Sequence, residues 1–402
     1  MTQALEGITV VEFSAYAAGP AIGKYMANFG ARVIHVESTQ RPDGFRLQYP
    51  PYKDNRVGLN RSGCFAFFND SKYGVTINLK HPQGHALALR LLERSDVVIE
   101  NMRPGVMARL GLDPAALRQR FPTLVVLSTT NMGQTGPYAS HPGFGSQLSS
   151  LSGFTELIGR PDGPPQPLYG PYIDMIAVAF GGCAVLAALE RRQRTGEGAY
   201  IDLSQYETGV QFIGGALLDY SVNGVVARRD GNRDPVAVPH GCYPCAGGTW
   251  CTISCWDDEE WRRFCGASQA AWACDPRFAT ADRRREHQDA LDTAISGWTA
   301  GQPAAALAAR LQGARVHAGA VQTMSDLFDD PQLRERAIWQ AYDHAELGRM
   351  HYRMVSYQLS ETPGSVRSAA PLLGEHNEEI FRTWLGVSAE EYDRLSAQDV
   401  LS

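Results

Sequence analysis

The chain has 402 residues, 44% of them apolar and 20% charged, which is too long for one small domain and suits one large core or two to three domains. Lys and Arg number 37 against 43 Asp and Glu, a net charge of −6 with no basic arm. That balance disfavours a nucleic-acid partner, because neutralising phosphates takes a concentrated cationic surface.

In chain order, the first residues lack a basic segment leading into an apolar run and a small-residue cleavage site, so no signal peptide is read. Residues 8–13 are a β-rich apolar run, followed by a turn over 14–20, a helix to about Asn28, a capping Gly30 and a strand over 33–36 ending at Glu37. A strand–helix–strand unit of this length implies a parallel pair. The rhythm repeats: helix 86–94 and strand 96–99, then Asp113-Pro114 opening a helix as N-cap and first helical residue, then strand 124–128. The stretch 175–189 is nearly apolar but shorter than the ~20 residues that cross a bilayer, so it reads as a buried helix and no membrane partner is expected. A strand over 200–203 and a helix over 206–218 follow.

The pattern then changes. Residues 222–239 are polar and turn-rich, a hairpin centres on Gly247-Gly248, and helices are read over 256–266 and 289–312. A Pro/Gly/Ser-rich stretch at 362–371 precedes a last helical segment from Glu378. The fold class is α/β: a parallel-sheet large domain plus a smaller α+β domain. The division is 1–221 for the first part of the large domain, 222–330 for linker and small domain, and 331–402 for the part completing the large domain.

The first strand–turn–helix carries Ala17-Ala18-Gly19-Pro20-Ala21-Ile22-Gly23, without the glycine fingerprint that lets a backbone approach a pyrophosphate. Cys242, Cys245, Cys251 and Cys255 lack a second C-x-x-C knuckle and read as small apolar fillers rather than zinc ligands. His81 and His85 have helical spacing but no accompanying metalloprotease motif. No metal is expected. Eight cysteines in so long a chain make no disulfide framework and point to a reduced, cytoplasmic protein.

Asp174 stands at the head of the apolar stretch, in the first turn of its helix. It reads as a cap accepting backbone N–H bonds, or as a carboxylate that the helix end holds ionised and ready to act as a nucleophile. Lys72, Lys80, Arg103 and Arg109 lie near strand ends, where they would suit a phosphorylated ligand, with Pro104 read as opening a helix. Singly, each reads as a solvated charge.

The chain resembles the class III coenzyme A transferases, of the formyl-CoA and carnitine CoA-transferase type, with α-methylacyl-CoA racemases as relatives. The resemblance runs through Leu5-Glu6-Gly7-Ile8, Phe29-Gly30-Ala31-Arg32, Asn69-Asp70-Ser71-Lys72, Glu100-Asn101-Met102-Arg103-Pro104-Gly105, Gly133-Gln134-Thr135-Gly136-Pro137 and Ala370-Pro371-Leu372-Leu373-Gly374-Glu375-His376. It implies a nucleophile at Asp174, coenzyme A contacts at Lys80, Asn101, Arg103 and Arg109, and an aromatic near the thioester at Phe144. It also implies a Rossmann-like large domain, an interlocked dimer, and acyl-CoA and a small carboxylic acid as substrates, with no permanently bound cofactor. A heteromer with a related subunit is the other assembly it allows.

Four departures matter. Ala17 and Ser38 replace an active-site Gln and a basic residue of formyl-CoA transferases, and Gly247-Gly248 is all that stands where those enzymes have a tetraglycine lid. A larger, less polar acid than oxalate or formate is therefore expected, an aromatic succinate being one case. Gly143-Phe144-Gly145 replaces the Gly-His-Asp of the racemases, removing the acid/base His that racemisation needs. Two other readings are an acyl-CoA isomerase and a CoA-binding subunit of a heteromeric transferase.

Overall fold

The computed structural model describes residues 3–170 and 172–402. Six parallel strands form the main sheet: β1 (Thr9–Phe13), β2 (Arg32–Glu37), β3 (Tyr73–Thr76), β4 (Val97–Glu100), β5 (Val125–Thr130) and β6 (Ala199–Ser204). Their order is β3-β2-β1-β4-β5-β6, that of doubly wound sheets, which bind ligands where the order reverses at the strands' carboxyl ends. Here the reversal lies between β1 and β4. Alternation assigns each residue to a face. Val10, Val33, Val97 and Ile99 pack into one core, and Val11, Ile34, Val98 and Val126 into the other.

Helices α1 (Ala18–Asn28), α2 (Gly44–Leu47) and α3 (Gly63–Asn69) follow the first two strands. Helices α4 (Pro82–Glu93), α5 (Val106–Arg109) and α6 (Pro114–Arg120) come between β3 and β5, and α7 (Gly145–Leu151), α8 (Phe154–Leu157) and α9 (Tyr172–Thr195) between β5 and β6. Helix α9 packs on α1 across Gly181, where a Cβ would stand 2.5 Å from Ile22 Cδ1. The expectation of a buried helix is corrected. The helix has 24 residues, and only one face, with Ile173, Ala177, Val178 and Val185, is buried. Phe180 and Leu186 are exposed. By length and composition the helix could cross a membrane, but a core helix passes the same test.

Some boundaries moved for local reasons. The helix expected over 206–218 breaks at Ile213, ahead of Gly214-Gly215, into α10 (Gln205–Phe212) and α11 (Gly214–Asn223). The helix expected over 289–312 is split into Gln288–Thr299 and Ala304–Gly313, because Pro303 lacks the N–H a continuous helix needs. Helix α4 starts earlier than expected, with His81 as its N-cap and Pro82 in its first turn.

The chain divides into two compact units. One takes the chain to Glu156 with Gln166–Ala227 and Gln332–Ser402, and the other takes Leu157–Pro165 and Arg228–Pro331. In the first unit, Phe381 and Leu395 from the chain's end pack beside Leu87 and Leu117 under the sheet. A hairpin, β10–β11 (Trp339–His344, Gly348–Arg353), which the sequence reading missed, adds Tyr352 to the opposite core. The second unit has an antiparallel sheet β7-β8-β9 (His240–Pro244, Trp250–Ser254, His317–Ala320). Its core holds Cys245, Cys251 and Cys255 among Phe264, Leu291 and Leu311, the filler role read from their spacing, whereas Cys242, read with them, is only partly buried and lies outside that core.

Candidate active site

At the carboxyl end of β1 the chain turns through residues 14–17 into α1. Tyr16 adopts φ 64°, a left-handed conformation rare for an aromatic residue. The turn is pinned from the next strand by Asn101. Its Oδ1 accepts the Ala15 N–H at 2.9 Å and its Nδ2 donates to the Ala15 carbonyl at 2.7 Å. The Asn101 side chain is therefore engaged in shaping the turn.

Above this turn stands an aromatic corner. The Tyr16 ring meets Phe45, Tyr49 and Phe144 edge-on at centroid distances of 5.4, 6.4 and 5.5 Å. Phe144 immediately precedes α7 and is 51% exposed. The corner presents an open apolar wall rather than a polar acid-binding pocket.

Helix α9 ends just before β6 begins, so it runs against the strands and brings its first turn to their carboxyl ends. Asp174 is its third residue. The cap position proper falls on Pro171, outside the described residues. Asp174 Oδ2 is shielded from solvent and has no hydrogen-bond partner. Burial raises its carboxyl to about 6, against the pull of its own backbone N–H. Nearby, Tyr172, Phe154 and Phe212 form an aromatic trio with centroids 5.8 to 6.1 Å apart. A buried oxygen with no partner is costly. A carboxylate serving only as a cap would satisfy both oxygens or leave one in water.

The basic residues separate into two groups. Lys72 is fully buried, donating to Glu12, to Asn69 Oδ1 at 2.9 Å and to the Pro20 carbonyl at 2.7 Å, so it is corrected from a ligand-binding candidate to a core charge. Lys80, Arg103 and Arg109 are exposed. Arg103 and Arg109 flank Gly105, whose φ of 77° makes it the cap of α5, so the helix starts at Val106, two residues later than a Pro104 start would. Arg103 lines a cavity of about 210 Å³ with Glu100, Met107, Arg118, Gln134 and Tyr200. Asp174 is not among its lining residues. Lys80 follows the edge strand β3, away from the β1–β4 reversal.

Sequence reasoning missed a buried charged group beneath the turn: Glu12, His35, Glu37, Asp43 and Arg46. The signal was present, since Glu12 and His35 interrupt apolar strands at positions that the alternation places inside.

CoA-transferase family III matches residues 5–377. The chain is 34% identical to the succinyl-CoA–D-citramalate CoA-transferase of Chloroflexus aurantiacus over 398 residues, covering 99% of this chain and 98% of that one. It is 31% identical to the beta subunit of that organism's succinyl-CoA–L-malate CoA-transferase over 406 residues, covering 100% and 98%. The crystal structure of a CaiB/BaiF family protein from Brucella suis matches with a TM-score of 0.88 at 29% identity, covering 96% of this chain and 100% of that one.

Proposed function

This chain belongs to CoA-transferase family III, and we propose that it moves coenzyme A from an acyl-CoA donor to a carboxylic acid through covalent intermediates on Asp174. The observation that carries this reading is the Asp174 carboxylate, shielded and partnerless at Oδ2, in the first turn of a helix at the sheet's carboxyl end.

The carboxylate attacks the thioester carbonyl, forming an aspartyl–acyl anhydride and releasing CoA thiolate. The thiolate attacks the aspartyl carbonyl, giving an aspartyl-CoA thioester and freeing the donor acid. The acceptor carboxylate then attacks that thioester, forming a second anhydride and thiolate. Thiolate attack on the acceptor's carbonyl yields the new acyl-CoA and restores Asp174. Each covalent step replaces one difficult exchange with easier ones. Gly145 opens α7, and backbone N–H groups at Gly143 and Gly145 would support the oxyanions.

Lys80, Arg103 and Arg109 would hold the phosphates of coenzyme A, and Phe144 would line the thioester, while Asn101 holds the turn beside them. The names of the two transferase relatives favour succinyl-CoA as donor. The aromatic corner favours a larger, less polar acceptor acid. A reducing, cytoplasmic setting agrees with eight unpaired cysteines.

A partner chain, identical or a related subunit, would cover the apolar residues left open on α9 and α11: Phe180, Leu186, Leu217, Leu218 and Tyr220. Native mass spectrometry of the purified chain decides between these assemblies. Incubation with succinyl-CoA and a panel of acids, read by mass spectrometry, tests the reaction. New acyl-CoA species support it, and none from any acid contradicts it for the chain acting alone.

A further inference from the structure

The turn that carries Tyr16 is held from below by a residue outside the catalytic group. Asp43 Oδ1 accepts the Tyr16 N–H at 3.0 Å and the Phe45 N–H at 2.8 Å. Next to it, a Cβ on Gly44 would stand 2.3 Å from the Tyr16 ring. Asp43, Gly44 and Phe45 thus form the seat on which the left-handed Tyr16 rests.

The other Asp43 oxygen faces inward. Oδ2 has no hydrogen-bond partner, and neither has His35 Nε2, yet the two are 3.8 Å apart. His35 Nδ1 lies 3.0 Å from Glu12 Oε2, so Nδ1 carries the proton that bonds to Glu12. A neutral ring would then turn a bare lone pair on Nε2 toward Asp43 and toward Glu37 Oε2, also 3.8 Å away. The charges around the ring are Glu12, Glu37 and Asp43 against Lys72 and Arg46, all buried. Three carboxylates face two cations, and burying an uncompensated charge is costly. The adjoining Lys24–Asp70 pair adds no net charge of its own, with Asp70 also acting on Lys72 and Arg353 acting on Lys24. One more proton balances the group, and Nε2 is where its hydrogen would meet two carboxylate oxygens.

We propose that Asp43 is a positioning residue for the candidate active site, held ionised by an imidazolium at His35, and that this buried pair fixes the Tyr16 turn against Phe144. A role limited to capping α2 would need only an Oδ1–Phe45 contact, which Asn or Ser supplies without burying charge. Burial pushes the Asp43 carboxyl to about 6, with His35 opposing the rise and Glu37 adding to it. Cys64 on α3 and Lys72 also face this carboxylate. Arg46, bound to Glu37 at 2.7 Å, holds Glu37 below the usual carboxylate range despite burial. Lys72 binds Glu12 and Arg46 binds Glu37, so Asp43 is the carboxylate of the three with no cation bonded to it other than the ring at 3.8 Å.

The test uses the full-length protein with 15N-labelled histidine, the His35 signals being assigned with His35→Gln. Near neutral pH, His35 in the wild type should show protons on both ring nitrogens, and in Asp43→Asn the Nε2 proton should be lost. Hydrogen exchange should show the Tyr16 amide opening about tenfold faster in Asp43→Asn, with β5 unchanged. Exchange in the double variant His35→Gln/Asp43→Asn should be closer to wild type than in His35→Gln, which strands the Asp43 charge. If transfer is observed, Asp43→Asn should raise the acceptor KM about tenfold while kcat stays within about threefold. A neutral His35 in the wild type, or unchanged Tyr16 exchange in Asp43→Asn, overturns the proposal. Should Asp43→Asn fail to fold, the wild-type spectrum and the His35→Gln pair decide. The kinetic arm rests on the transferase reading, whereas the spectroscopic and exchange arms do not, so the two can fail separately.

Discussion

Asn101, one residue past the end of β4, grips Ala15, two residues past the end of β1, by both polar groups of its backbone, at 2.9 and 2.7 Å. The grip closes the point where strand order reverses, so the floor of the candidate site is built from two strands distant in sequence. A carboxylate in place of this amide can accept the Ala15 N–H but cannot donate to the Ala15 carbonyl. Asn101→Asp should therefore cost about 1–3 kcal/mol and lower turnover, as read by urea denaturation and steady-state assay. Equal stability and full activity would show that the turn holds itself.

The raised carboxyl of Asp174 predicts a pH dependence. Attack needs the carboxylate, which is half formed at about pH 6 and falls roughly tenfold for each further unit of acid. Turnover should therefore drop on an acidic limb centred near 6, with stopped assays returned to neutral pH recovering full activity.

The same group predicts a stability effect of opposite sense. Its folded value lies above the ordinary 3.8, so the folded state holds the proton more tightly and stability falls as pH rises from about 4 to 6. Asp174→Asn removes that penalty. Its melting temperature should exceed the wild type's at pH 8, with the gap closing toward pH 4, a gain in stability at the expense of activity.

Arg103, just past β4, and Arg109, the last residue of α5, are exposed, and Lys80 lies beyond β3. Arg109→Ala and Lys80→Ala should each weaken acyl-CoA binding several-fold, about 1 kcal/mol, and more at low salt, where screening is least. Calorimetry at two ionic strengths reads this. Given its edge-strand position, Lys80 should show the smaller effect.

Much of this was legible in the sequence. Short continuous apolar runs separated by helices pointed to the parallel strands, which are buried on both faces, and Asp113-Pro114 marked the start of α6. Asp174 was singled out by its place at the head of an apolar stretch, which left cap and nucleophile both open; the resemblance supplied the nucleophile reading. What escaped depends on contacts far apart in sequence. No local pattern tells that Lys72 turns inward to Glu12, or that Asn101 reaches Ala15. The open face of α9 was invisible for a similar reason, since an apolar helix looks the same whether this chain or another covers it.

Covalent acylation of Asp174 leaves a species that can be trapped. Hydroxylamine added during turnover with acyl-CoA and acid attacks anhydrides and thioesters but not free carboxylates, so it should convert this side chain to a hydroxamate. Mass spectrometry of the peptide containing Tyr172-Ile173-Asp174-Met175 should show that change only when acyl-CoA is present, and never in Asp174→Ala. A chain that forms new acyl-CoA while this peptide stays unmodified would contradict the account, as would deuterium wash-in at the α-carbon of a 2-methylacyl-CoA without any adduct.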